Sequence, residues 1–198
     1  DKVKAEQFVL PIGKKKTHVI GINPSQITTE DLAVSLQPVA NYIPTDGYSK
    51  VAAVERHHNT GKIGVAVAKG YGIRNGAVAS SVSHDSHNII VIGDNDRDMA
   101  LAVDEIIRTQ GGYTVVENGE VFETLPLPIM GLMSDAGFES VNETLGRMIK
   151  KAHEMGVPAD IEPFITLSFL ALPVIPTLRI TPRGLCLLTA KGPEILQE

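Results

Sequence analysis

The sequence predicts an α+β fold: a mostly antiparallel β-sheet with two or three packed amphipathic helices. Three observations carry this. Short β-branched or small apolar runs, bounded by Gly, Pro, Asn and Asp, outnumber the stretches long enough to be crossover helices. One pair of runs is joined directly by Asn118-Gly119, whose residues both accept the positive φ of a tight hairpin turn. Two other stretches, 94–112 and 137–156, repeat apolar residues at helical spacing. A parallel sheet would need more crossovers than this chain has.

In chain order, Thr17 to Ile22 is a strand, stopped at Asn23-Pro24 because proline has no N–H to donate. A turn at Thr45-Asp46-Gly47 precedes a strand from Lys50 to Arg56. The stretch GKIGVAVAKGYG, 61–72, has neither Walker A nor dinucleotide spacing, so its glycines are turns and tight packing. Ala77 to Ser81 suits a strand or a helix closely approached by a neighbouring backbone, and Ile89 to Ile92 a buried strand. In DNDRDMALAVDEIIRTQGG, Asp94 or Asn95 caps a helix, Asp96 and Asp98 favour its dipole, and Met99, Val103, Ile106 and Ile107 make one apolar face. Gly111-Gly112 ends it.

The hairpin YTVVENGEVFETLPLP then sets Val116 against Val121 and Val115 against Phe122. A second helix turns Val141, Leu145, Met148 and Ile149 inward and leaves His153 at the surface near its C-terminus. The tail PFITLSFLALPVIPTLRITPRGLCLLT is a short apolar segment, proline turns and a terminal strand. Residues 1–35 are expected to be a separate strand-containing segment, and 36–198 the α+β domain.

Composition narrows the function. With 198 residues, 43% hydrophobic, the chain can bury roughly 70% of its unfolded surface without staples. Lys and Arg number 18 against 23 Asp and Glu, a formal net charge of −5, which argues against nucleic acid or an anionic membrane as partner. Aromatic residues are 5% and Trp is absent, so a base-stacking platform is also disfavoured. The one cysteine, Cys186, excludes an intrachain disulfide and a Cys-rich zinc site, and its apolar setting marks a buried inert thiol. The longest uncharged run is 163–178, too short and too proline-rich to span a bilayer. These features suit a soluble protein of the reducing cytoplasm. The chain starts at Asp rather than Met, as a processed piece of something longer would.

Chemistry concentrates in SSVSHDSHNIIVIGDND, Ser80 to Asp96, where His84, Asp85, His87 and Asn88 fall within five residues. A metal site, an acid/base site and polar punctuation between two strands are the three readings. A catalytic metal needs three or more ligands with an open position, and among His18, His57, His58, His84, His87 and His153 there is no His-x-His and no His-Glu-x-x-His. ERHHNTG, Glu55 to Gly61, is a second dense polar cluster at a strand end. If the two strand ends adjoin, one edge carries Glu55, Arg56, His57, His84, Asp85, His87 and Asn88, the composition of an active-site wall. In the plainer alternative, Asp85 and Ser86 make the turn and the histidines satisfy backbone carbonyls.

The run KVAAVERHHNTGKIGVAVAKGYGIRNGAVASSVSHDSHNIIVIGDNDRDMALAV, with GGYTVVENGEVFETLPLPIMGLMSD and PFITLSFLALPVIPTLRITPRGL after it, resembles the C-terminal domain of bacterial and archaeal adenine deaminases, of the amidohydrolase superfamily. The resemblance covers Lys50 to Leu185 and includes Ser80, Ser81, His84, Asp85, His87 and Asn88. It implies a larger enzyme that hydrolyses adenine to hypoxanthine and ammonia. Its divalent transition metal (manganese, iron or zinc) is then expected in an N-terminal (β/α)₈ barrel that this chain lacks. On this reading the chain itself holds no metal or cofactor and is inactive alone. Its partners would be that barrel, a small-molecule purine and further copies in a homo-oligomer.

Individual roles follow from residue chemistry. His84, Asp85 and His87 are accessory catalytic candidates; Glu55, Arg56, His57, Ser81 and Asn88 are substrate-binding candidates. The alternative is a non-catalytic ligand-binding or oligomerisation module.

Overall fold

A computed structural model describes residues 2–13, 16–45 and 47–196; Asp46, in the expected 45–47 turn, lies outside them. After a short 3₁₀ turn, Ala5–Phe8, come β1 (Thr17–Ile22), β2 (Thr29–Val34), β3 (Tyr48–Val54), β4 (Ile63–Lys69), β5 (Gly76–Ser80) and β6 (Ile89–Gly93). Then follow α1 (Asp96–Arg108), β7 (Gly112–Glu117), β8 (Glu120–Pro126), α2 (Phe138–Glu154) and α3 (Pro163–Leu170). The chain closes with β9 (Leu178–Thr181), β10 (Gly184–Thr189) and β11 (Gly192–Ile195). The large sheet runs β2-β1-β4-β3-β6-β5-β7-β8, and a second sheet runs β11-β10-β9. Only β1 and β4 pair in parallel among the described strands, so the fold is α+β around a mostly antiparallel sheet.

The inner strands β3, β5 and β6 are buried on both faces, alternate residues pointing to opposite sides of the sheet. Ala52, Val54, Ile89 and Val91 pack with Met99, Val103 and Ile106 of α1 and with Phe8. Val51, Ala53, Ile90 and Ile92 pack with Met148 of α2, with Phe164 and Leu167 of α3, and with Leu178 and Ile180 of the small sheet. Lys50 is fully buried, its Nζ donating to Phe8 O (2.9 Å), Asn41 Oδ1 (2.7 Å) and Asp96 Oδ1 (2.6 Å), which ties the first residues to the start of α1. At the opposite edge Thr29 clasps the tail: its hydroxyl donates to Leu178 O (2.8 Å) and accepts from Thr177 N (3.1 Å) and Leu178 N (3.0 Å). Arg179, fully buried, donates from Nη2 to Ile27 O (2.7 Å).

Several elements differ from the sequence expectation. The α1 cap is Asn95, whose side chain accepts from Asp98 N at 2.8 Å. Met99, Val103 and Ile106 are buried as expected, but Ile107 is 46% exposed, because it sits at the margin of the helical face. Val116 pairs with Val121, yet a bulge between Val115 and Val116 sets Val115 opposite Glu123 and leaves Phe122 exposed. Ala77 belongs to a strand. The apolar tail segment is a helix, started by Pro163 and capped by the Glu162 side chain, and the terminal strand is three strands turned at Gly184 and Gly192. Of the helices, α3 carries apolar residues all round and is not amphipathic.

Candidate functional site

The two polar clusters do adjoin. Strand β3 ends where β6 begins, with Val54 opposite Ile89, and β5 delivers the 81–88 loop beside them, with Ser80 opposite Ile90. Asn88 joins the loops: its Oδ1 accepts from Arg56 N (3.1 Å), and its Nδ2 donates to Ser86 Oγ (3.1 Å). His57 Nε2 lies 2.7 Å from Ser86 O, so that nitrogen carries the proton. Arg56 Nη1 donates to His87 O (3.2 Å) and Nη2 to Met130 O (2.9 Å), a clamp on three segments. Burial lowers the pKa of the Arg56 guanidinium. Gly131 makes room for it: a Cβ there would meet Arg56 Nη2 at 2.1 Å.

Two sequence candidates are committed to backbone groups. The Glu55 carboxylate accepts from His57 N (2.5 Å), His58 N (2.7 Å), and both Thr60 N (2.9 Å) and Thr60 Oγ1 (3.1 Å). The Thr60 N–H bond, with those from His58 and His57, holds its pKa down at about 2. Ser81 is fully buried, donating to Gly131 O (2.6 Å) and accepting from Gly112 N (2.8 Å). These groups fix the walls of the site.

The imidazoles form its centre. His84 and His87 meet edge to face with centroids 5.9 Å apart, and His84 also lies 4.9 Å from the Phe169 ring of α3. His87 has a positive φ of 50° and its Nδ1 accepts from Ser83 N at 3.3 Å, which leaves the proton on Nε2. Burial, and then the charge of His84, lower its pKa below the usual imidazole value. Asp85 is 82% exposed on its side chain, 3.6 Å from His84 Nδ1. Beside Asp85, Ser86 and Asn88 opens a largely apolar pocket of about 290 Å³, walled by Ala53, Leu172, Val174 and Ile180 among others. Among the described residues no group of three or more His, Cys, Asp or Glu is placed to hold a metal ion.

Comparison with known proteins settles the relationship. The family model described as adenine deaminase C-terminal domain matches residues 26–191. The chain belongs to the adenine deaminase C-terminal domain family. An adenine deaminase of Desulfitobacterium hafniense is 50% identical over 185 residues, 92% of this chain and 32% of the relative. One from Nitratidesulfovibrio vulgaris is 50% identical over 181 residues, 90% of this chain and 32% of the relative. Adenine deaminase 2 of Carboxydothermus hydrogenoformans is 42% identical over 187 residues, 93% of this chain and 33% of the relative. The chain thus spans about a third of the length of the curated relatives it matches.

Seen as a domain of this family, the edge has parts that composition did not mark. Met130 and Gly131 form its third wall through Arg56 and Ser81. Ser83 and Ser168 are buried at the junction with α3, and their hydroxyls have no hydrogen-bond partner among the described residues. The only available signal for the third wall was the PIMGLMSD string. No described helix is long and apolar enough to cross a membrane.

Proposed function

We propose that this chain serves as the C-terminal domain of a longer adenine deaminase, in which adenine and water give hypoxanthine and ammonia. The metal that supplies water activation belongs to the part of that protein outside this chain, and the domain alone does not turn over. A cytoplasmic setting and self-association of the whole enzyme are part of the same reading. The observation that carries it is the shared edge of Arg56, His84, Asp85 and His87, joined by side chain–backbone hydrogen bonds across two loops, in a chain of this family.

The roles follow from the groups present. His87 presents an N–H from Nε2 and has a lowered pKa, so it donates a hydrogen bond at neutral pH and takes up a proton only transiently. His84 and Asp85, more exposed beside it, face solvent and an incoming substrate. Arg56, His57 and Asn88 hold the loop that carries them and offer polar contacts to a purine edge; Glu55 and Ser81 hold the walls.

The test uses the longer protein with His84→Ala, Asp85→Asn and His87→Ala. Loss of an acid/base group lowers turnover by about 10²–10⁴ while melting stays near that of the parent. Early melting with normal turnover per folded molecule would make the edge structural. A second reading, ligand binding by the domain itself, is favoured by the 290 Å³ pocket against Asp85 and Asn88. Calorimetric titration of the isolated chain with adenine separates it, since binding without the rest of the protein supports that reading alone.

A further inference from the structure

We infer that the turn Ile129–Met133, together with Phe138 at the start of α2, is the face on which the remainder of the longer protein seats. This rests on the domain reading above. Four large apolar side chains of one short segment face solvent, with Met130 at 76% and Phe138 at 78% exposure, and Ile129 and Met133 also exposed. Segments that display apolar groups without burying them mark contact surfaces. The segment is held in place. Ile129 N bonds Met133 O (3.1 Å), Arg56 takes Met130 O, and Ser81 takes Gly131 O.

Met130 itself has a φ of 59°, a left-handed conformation that an unbranched apolar side chain rarely adopts. A turn needing only that backbone would carry Gly or Asn there. Methionine instead projects a long apolar side chain into solvent, and methionine adapts its shape to a partner surface. The occupant is the remaining two-thirds of the protein, because the curated relatives extend to about three times this chain's length. The turn is continuous with the Arg56–His87 edge through one carbonyl. Seating a partner on it brings that partner against the imidazoles. The other exposed apolar pair, Ile165 and Val174, lies on the α3 side of the edge, where Val174 already walls the pocket beside Asp85 and Asn88.

Oxidation of Met130 and Met133 by dilute peroxide, read by mass spectrometry, tests this in the longer protein and in the chain alone. Both should oxidise at least about tenfold more slowly in the longer protein, since oxidation follows exposure. In the longer protein, a thiol placed by Phe138→Cys should resist maleimide and one placed by Ile43→Cys, 58% exposed and outside the edge, should react. Equal oxidation rates in the two proteins, or a reactive thiol at 138, overturn the inference. So does protection in the chain alone that grows with its concentration, which would assign the face to a second copy. Adenine turnover is measured on the same samples: protection without turnover removes the deaminase reading and leaves the face standing, and turnover without protection does the reverse.

Discussion

Replacing Arg56 by alanine in the isolated chain separates a clamp from a ligand contact, because only a clamp changes the stability of the ligand-free domain. The guanidinium makes two charge-assisted bonds to carbonyls on separate loops, His87 O at 3.2 Å and Met130 O at 2.9 Å. Hydrogen bonds to charged groups contribute about 1.5–3 kcal/mol each when shielded from water. Arg56 is half-buried and water can replace part of each bond, so the pair together contributes about 2 kcal/mol. For a domain of this size that lowers Tm by about 4–8 °C. Arg56→Lys keeps the charge but has no fork to span both carbonyls, and should lose about half as much. Thermal melting by circular dichroism gives the shift. Amide exchange should quicken at the His87 N–H, bonded to Ser83 O, and the Met133 N–H, bonded to Ile129 O, but not in β6. Melting of Arg56→Ala within about 1 °C of the parent, with both amides unchanged, would refute the clamp.

Val103 is fully buried between α1 and the sheet, so Val103→Asp places an unpaired carboxylate there. The cost of several kcal/mol, against a total of about 5–15, should abolish the cooperative melt. Glu55 should make the chain acid-sensitive. Its folded pKa of about 2 lies below its ordinary 4.5, so its contribution is complete above the higher value and lost as pH falls through the lower one. Glu55→Gln should flatten the stability profile in that window while changing little of its shape above pH 5, read by urea melts at stepped pH.

The parts of this fold that were legible in the sequence are those whose signal is local. Asn95 caps α1 within three residues, and Asn118-Gly119 needs only its own φ preference. What required distant partners was not legible. The Val115 bulge shifts a register that turn chemistry alone would keep. Helix α3 shows no helical periodicity because its neighbours cover several sides of it, so its residues gave no stripe to find. The site divides the same way. The meeting of the 55–60 and 84–88 loops could be stated only as a condition on strand pairing, and the Val54–Ile89 register supplies that condition. The commitments of Ser81 and Glu55 to backbone groups have no trace in residue type, since any backbone offers the same N–H and C=O.

The clasp between Thr29 and Leu178 has a consequence in time. The bond spans 149 positions, and a ribosome adding about 5–20 residues per second needs about 7–30 s to travel that far. Throughout that interval β2, the outer strand of the large sheet, is already made while the strand that caps its start is not. The Thr29 N–H and hydroxyl, later taken by Pro176 O and Leu178 O, are then open to any other nascent chain. The contacts of Thr29 and Arg179 are therefore among the last that synthesis permits, and the start of β2 closes only when the chain is nearly complete.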